Sequence, residues 1–395
     1  MLKAKRKKLH LRLARTLEQQ FPALADAEPE LIAHHYSNAD ESLPAVDLWL
    51  KAAKKAARRS ANVEATQHLN TGLKILLDLP KSVERDRREL EFRTHMGALL
   101  TAMKGFAAQE VEVAFKRARL LSGKLQNKGM FPILRGLWVH YLVRANWTSA
   151  RRLAKEMLSL AQAENNRSYE LEAKRALGMT FLWFGKLEPA AEQLQEGWAL
   201  YDSEVHRQHL VLYGNDPGVA CLVHHAMVAA ISGRSQQSLQ LSDQAISLAR
   251  ELSHPFSLCQ AMIYRTYLYQ IRRDNALTLE WADKTEALAT QHDFPFWLAE
   301  TKLFRGWAHA QLGEPVSGLE EMLSGLSDFL DTGALMDRPR WLSMIAEGFQ
   351  LSGQPDKALR HLAEALELAN RTKERLVESL LYNLTGEVHA RTNAP

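Results

Sequence analysis

Only two cysteines occur in 395 residues. That excludes a disulfide framework and points to the cytoplasm as the natural compartment. No apolar run approaches the roughly 18 residues that a membrane-spanning helix needs. The basic N-terminus lacks the apolar core of a secretory signal. Charge of one sign is also missing: 50 Lys and Arg stand against 46 Asp and Glu, a net +4 spread over a long chain. Such a balance implies no nucleic-acid partner. Glycine-rich phosphate loops, a serine–histidine–acid order and paired carboxylate motifs are all absent, so no catalytic residue, cofactor or metal is expected.

What the chain does have is a period. Gly105, Ala145, Gly185, Gly233, Arg273, Gly313 and Gly353 mark matching points at steps of 40, 40, 48, 40, 40 and 40. A fixed period in this range marks a solenoid, whose units bury their apolar faces only by stacking. Five residues after each marker from Ala145 onward stands Ala150, Ala190, Ser238, Thr278, Gly318 or Ala358. Seven further on, Gly197, Ala245, Thr285, Gly325 and Ala365 recur, with Met157 the exception. Small residues seven apart lie on one helical face and admit a close neighbour. These are the second helices of each unit.

The first helices open with Pro132, Pro217, Pro255, Pro295 and Pro339, where a missing N–H costs nothing. Four residues on come Gly136, Cys221, Cys259, Ala299 and Ser343, all small. Both cysteines are thereby expected as buried packing residues on neighbouring helices too far apart to bridge. The pattern predicts an all-α, right-handed superhelical solenoid of tetratricopeptide-like hairpins with a period of about 40 and helices of four to five turns.

Several segments resemble a known family: Glu30–Tyr36 running into Ala45–Ala53, then Ser60–Leu69, Leu212–Cys221 and Phe294–Ala299. They are similar to the C-terminal tetratricopeptide-like region of bacterial class III adenylate/guanylate cyclase–AAA (STAND) ATPase signalling proteins. The resemblance implies that residues 1–38 end an ATPase module and that 39–395 form the repeat array. It further implies a non-catalytic sensor that binds a protein or ligand and regulates an associated cyclase/ATPase module. The phosphate-binding loop of that ATPase has no counterpart here, so no catalytic residue is carried over. A free-standing adaptor, or the sensor arm of a transcription activator, is the alternative.

Candidate contact residues follow from the first helices. Trp138, His140, Tyr141 and Arg144 lie on one, Tyr264, Arg265 and Tyr267 on another, and Arg305 and Trp307 on a third. If these helices line the concave surface, the set forms an aromatic and basic groove for a protein or peptide partner. An insertion near 202–216 supplies a second candidate in His206, His209, Tyr213 and Asp216. His206 and His209 would share a helical face with Asp202, but no third histidine or cysteine completes a metal site. An ordered loop, with Asp216 capping the next helix, is expected instead. In each adjacent pair, His34–His35 and His224–His225, one ring should pack and the other face solvent. The basic Lys3–Lys8 segment, with Leu9, Leu13 and Leu17 spaced by four, reads as a solvated helix face with no membrane role.

Overall fold

The computed structural model describes residues 2–59, 61–125 and 129–392, all helices and turns. Ser60, which opens one of the resembling segments, lies outside the described residues. The chain divides into two compact units, 1–140 and 141–395. The first unit holds α1 (Leu2–Gln20), α2 (Pro22–Ala27), α3 (Pro29–Asn38), α4 (Ser42–Arg58), α5 (Asn62–Leu77), α6 (Val83–Lys104) and α7 (Gln109–Leu125). Helix α8 (Met130–Val143) carries the chain from the first unit into the second.

The second unit continues with α9 (Trp147–Ala163), α10 (Arg167–Trp183), α11 (Leu187–Ala199), α12 (Ser203–His206), α13 (Gln208–Tyr213), α14 (Pro217–Ile231) and α15 (Ser235–Glu251). After these come α16 (Pro255–Ile271), α17 (Asn275–Gln291), α18 (Pro295–Gln311), α19 (Pro315–Asp331), α20 (Arg338–Leu351), α21 (Pro355–Thr372) and α22 (Glu378–Thr392). Helices α15 to α19 are each 17 residues long, about 25 Å of rise.

The period seen in the sequence is written into the backbone. All seven markers have left-handed φ, from 54° at Ala145 to 107° at Gly313. This conformation ends the first helix of a hairpin and turns the chain into the second. Ala145 and Arg273 (φ 59°) adopt it without glycine's freedom. A second left-handed series, Ser253, Asp293, Gly333 and Lys373, again spaced by 40, ends the second helices.

Within the first unit, Ala14, Ile32, Tyr36 and Ala45 form one apolar cluster. Helix α1 therefore packs on α3, and α3 on α4, around one shared cluster. A larger cluster around Val46, Leu69, Phe92 and Met96 follows. In the second unit every small marker residue of the second helices is buried. Gly318 and Gly306 show why: a Cβ on Gly318 would lie 2.3 Å from the Gly306 carbonyl oxygen. Successive first helices (α14, α16, α18, α20) also pack on one another, so they form the inner layer. Helix α14 is buried on nearly all sides. Consequently His224 and His225 are both buried, and the expected division into one packed and one solvent-facing ring does not hold there. Cys221 and Cys259 are free and buried, and burial pushes both thiols up to about 12, far from thiolate reactivity.

Candidate functional site, a polar interior in the second unit

A 40-residue period stacks equivalent side chains. Gln260, Glu300 and Arg340 stand at the same point of α16, α18 and α20, and all three are buried. One turn further along, the rings of His224 and Tyr264 form a ladder, and Phe304, at the equivalent point of α18, packs 5.6 Å from Tyr267. The His224–Tyr264 centroids lie 4.8 Å apart, and Trp183 continues the row 6.2 Å from His224. Tyr267 sits beside this row, its ring 6.1 Å from Tyr264.

Hydrogen bonds fix the protons in the ladder. His224 Nδ1 lies 2.6 Å from the Ala220 carbonyl oxygen, which can only accept, so Nδ1 carries the proton. Nε2 is left to accept the Tyr264 hydroxyl at 2.9 Å. Burial, opposed by the Ala220 bond, drives the imidazole down to about 4. At neutral pH this ring is uncharged.

Two loops turn inward onto the ladder. The Leu335 and Met336 amides donate to the Val143 carbonyl at the end of α8, at 2.8 and 3.1 Å. The Arg375 amide donates to the Trp183 carbonyl at the end of α10, at 2.9 Å. Both loops are built alike: the Thr332 and Thr372 hydroxyls each accept the amide two residues on. They carry Asp337 and Glu374 inside, both almost fully buried.

Here three carboxyls meet one guanidinium. Arg340 lies 3.5 Å over the Tyr267 ring and donates to Gln270, and it forms no ion pair with Glu300, Asp337 or Glu374. Burial raises Glu300 and Glu374 well above the usual carboxylate range and Asp337's proximity raises both further, while hydrogen bonds from the Trp147 side chain and the Asp337 backbone oppose the rise at Glu374. Asp337, held in a left-handed conformation, is pushed up to about 6 by burial, with Arg340 opposing. Asp337 Oδ1 and the Tyr267 hydroxyl have no hydrogen-bond partner, and neither do two donors of the same interior, Arg340 Nε and Trp183 Nε1. Such atoms are rare in folded interiors and ask for a reason. Glu347 accepts through Oε2 from Trp307 Nε1 at 3.2 Å and Gln311 at 3.0 Å and pairs with Arg273, while its Oε1 has no partner.

The predicted groove residues divide between these surroundings. In the first unit Trp138 is fully buried and His140 contacts the Phe106 carbonyl at 3.0 Å. In the second, Tyr267, Arg265 and Trp307 are buried. Arg265 is spent on Ser242 and Asp243, and Arg305 on Glu286 and Glu321. Tyr141 is partly buried, while Arg144 is exposed and reaches the Gly333 carbonyl. Within the second unit Arg265, Tyr267 and Trp307 are packed rather than set on an open face, and Trp138 and His140 are buried in the first unit.

The insertion is packed rather than free. Tyr201, His206, His209 and Tyr213 form a continuous row of rings 5.0 to 5.7 Å apart. His206 Nδ1 bonds the Asp202 backbone, while His209 Nδ1 lies 3.0 Å from Glu172, itself clamped by Arg175. The two histidines thus point to different partners. Asp216 caps α14 through the Val219 amide at 2.9 Å and accepts the Tyr201 hydroxyl at 3.0 Å. Replacing it by alanine is expected to cost about 2 kcal/mol in chemical denaturation, and Asp216→Asn should keep most of that.

Sequence reasoning missed Glu300, Asp337, Arg340 and Glu374. Two signals were available. The polar series Gln260, Glu300, Arg340 recurs at the period, and the connections before α20 and α22 carry apolar Leu335–Met336 and Leu376–Val377.

No family model matches the chain. It is 24% identical over 379 residues to an uncharacterized protein of Rhizobium meliloti (strain 1021), covering 94% of this chain and 36% of that protein. The chain thus spans about a third of the length of this curated relative. Among solved structures, aspartyl phosphate phosphatase F of Bacillus subtilis matches with TM-score 0.57 and 14% identity, over 89% of this chain and 96% of that one. A signal transduction ATPase with numerous domains (STAND) and a tetratricopeptide repeat sensor, from Pyrococcus horikoshii, matches with TM-score 0.50 and 12% identity. That match spans 89% of this chain and 50% of the other. The class is therefore a helical solenoid of tetratricopeptide-like hairpins. Among the described residues, no helix is long and apolar enough to cross a membrane.

Proposed function

We propose that this chain is the binding and sensing arm of a larger signalling protein, regulating an attached cyclase/ATPase module and carrying no catalysis itself. The observation that carries the reading is length. The Rhizobium relative aligns with nearly all of this chain yet has almost two-thirds of its own sequence elsewhere. The STAND protein likewise has half of its chain outside the match. In this reading an occupant of the array shifts the packing of its helices, and that shift biases the output module. The phosphatase name of the Bacillus neighbour does not transfer, because 14% identity supports fold alone.

A second reading is a free-standing adaptor. It is favoured by that same neighbour, which this chain covers almost end to end. An antibody raised against this chain decides between them on a blot of source-cell extract. A band of more than twice 44.7 kDa is expected for the arm. A band near the chain's own mass overturns that reading in favour of the adaptor.

A further inference from the structure

Helix α1 is held to the first unit by one side only. Leu11, Ala14 and Leu17 pack with Ile32 and Tyr36, and Glu18, the helix's only carboxylate, accepts the Tyr36 hydroxyl at 2.6 Å. The row Leu9, Leu13, Leu17 is thereby split: Leu17 is packed, while Leu9 and Leu13 are 59% and 44% exposed. These two leucines lie one turn apart on the open side. Lys5 stands a turn before Leu9, and Arg6 and Arg12 fall on opposite flanks of the pair. Lys3 and Lys8 are exposed as well. Lys7 pairs with Asp40, but among the described residues none of these five cations forms an ion pair. The excess extends beyond the helix: residues 1–140 hold 25 Lys and Arg against 15 Asp and Glu, whereas 141–395 hold 25 against 31.

Unpaired cations around exposed leucines are the complement of a surface that is anionic outside and hydrocarbon beneath. Lysine is depleted from protein–protein interfaces, and three of these five cations are lysines. A nucleic-acid backbone would neutralise the cations but offer the leucines nothing. We propose that the open face of α1 docks the first unit on an anionic lipid surface. Leu9 and Leu13 enter the acyl boundary, and Lys3, Lys5, Arg6, Lys8 and Arg12 meet the headgroup phosphates and carboxylates. The helix lies flat in this arrangement, its inner side still on α3. That replaces the expectation of a solvated face with no membrane role. Most of the strength is electrostatic, because two leucines bury little and each cation near the surface contributes. Docking therefore weakens with salt. The assignment goes beyond the sensing-arm reading and holds whether or not an output module is attached.

The test is co-sedimentation of the full chain with vesicles of phosphatidylcholine alone or mixed with phosphatidylserine, at ionic strengths of about 0.05 and about 0.5 M. Saturable binding to the mixed vesicles is expected, at least about tenfold tighter than to phosphatidylcholine alone and weaker in the higher salt. Lys5→Gln combined with Lys8→Gln and Arg12→Gln should weaken it about 100-fold, at roughly fivefold per cation. Leu9→Ser with Leu13→Ser leaves the charge unchanged and should weaken it about tenfold. All of these positions are exposed, so both variants should keep the parent's denaturation midpoint, which is checked first. No binding to the mixed vesicles, equal binding to both kinds, or either variant binding like the parent overturns the assignment. Capture of the chain by soluble polyglutamate, with the vesicles left free, overturns it in favour of an acidic protein partner. The blot for an attached module is unaffected by any of these results.

Discussion

Gly318→Val is expected to cost the second unit at least about 3 kcal/mol, read as a fall in the midpoint of chemical denaturation. A Cβ on Gly318 would meet the Gly306 carbonyl oxygen at 2.3 Å and the Ala310 nitrogen at 2.6 Å. Both are backbone atoms, so no rotamer change relieves the clash. Gly306 faces the same limit in return, 2.5 Å from the Gly318 oxygen. Helices α18 and α19 would have to separate along their whole contact. Replacing glycine in a helix ordinarily gains about 0.5–1 kcal/mol, and here the clash outweighs that gain. Gly386→Ala on α22 separates the two effects, because nothing lies within 4 Å of its added carbon. That variant should be slightly more stable than the parent. If Gly318→Val unfolds at the parent's midpoint, the close approach of α18 and α19 is wrong.

The second large effect is in pH. Glu374→Gln should be more stable than the parent at pH 8 by on the order of 2 kcal/mol, with the difference shrinking towards pH 5. Glu374 keeps its proton in the folded chain well above the pH at which the unfolded chain releases it. Its contribution is therefore full below its ordinary value and is lost as pH rises through the folded value. Glu300 acts in the same direction. Asp337 does so between about 3.8 and about 6. His224 opposes them: the unfolded ring gains a proton below about 6.5 that the folded ring refuses until about 4, so stability falls with pH over that window. Arg340 faces the same interior, as do Tyr264 and Tyr267, whose hydroxyls burial raises well above their ordinary value so that they stay neutral across the range. Denaturant midpoints at pH 5, 6.5 and 8 read the outcome. A variant less stable than the parent at pH 8, with an unchanged slope, would show that Glu374 is paired after all.

The fold was legible because its signal is backbone geometry repeated. A left-handed residue every 40 positions needs glycine or a tolerant substitute, and small residues at fixed offsets are needed wherever two helices touch. Both requirements act locally, so they leave a periodic trace. The surroundings of Trp307 or Tyr267 obey no such rule. A ring on the inner face of a first helix looks the same in sequence whether water, a partner or a distant loop covers it. What covers Tyr267 is Arg340, 73 positions away, and what closes the end of α8 is Leu335. Such long-range contacts are set by the curvature of the whole unit, which no window of one or two repeats contains.

That curvature also changes how the second unit comes apart. A row of units touching only their neighbours can fray from an end and lose one unit at a time. Here the amides of Leu335 and Met336 join the Val143 carbonyl across 192 and 193 positions, and Arg375 joins Trp183 in the same way. These ties close the row on itself. Early and late hairpins then share one fate, so unravelling the last pair exposes the interior that the earlier ones enclose. The chain also has to close a very long loop before those bonds can form, which makes folding slower and more nearly all-or-none than the repeat pattern alone implies.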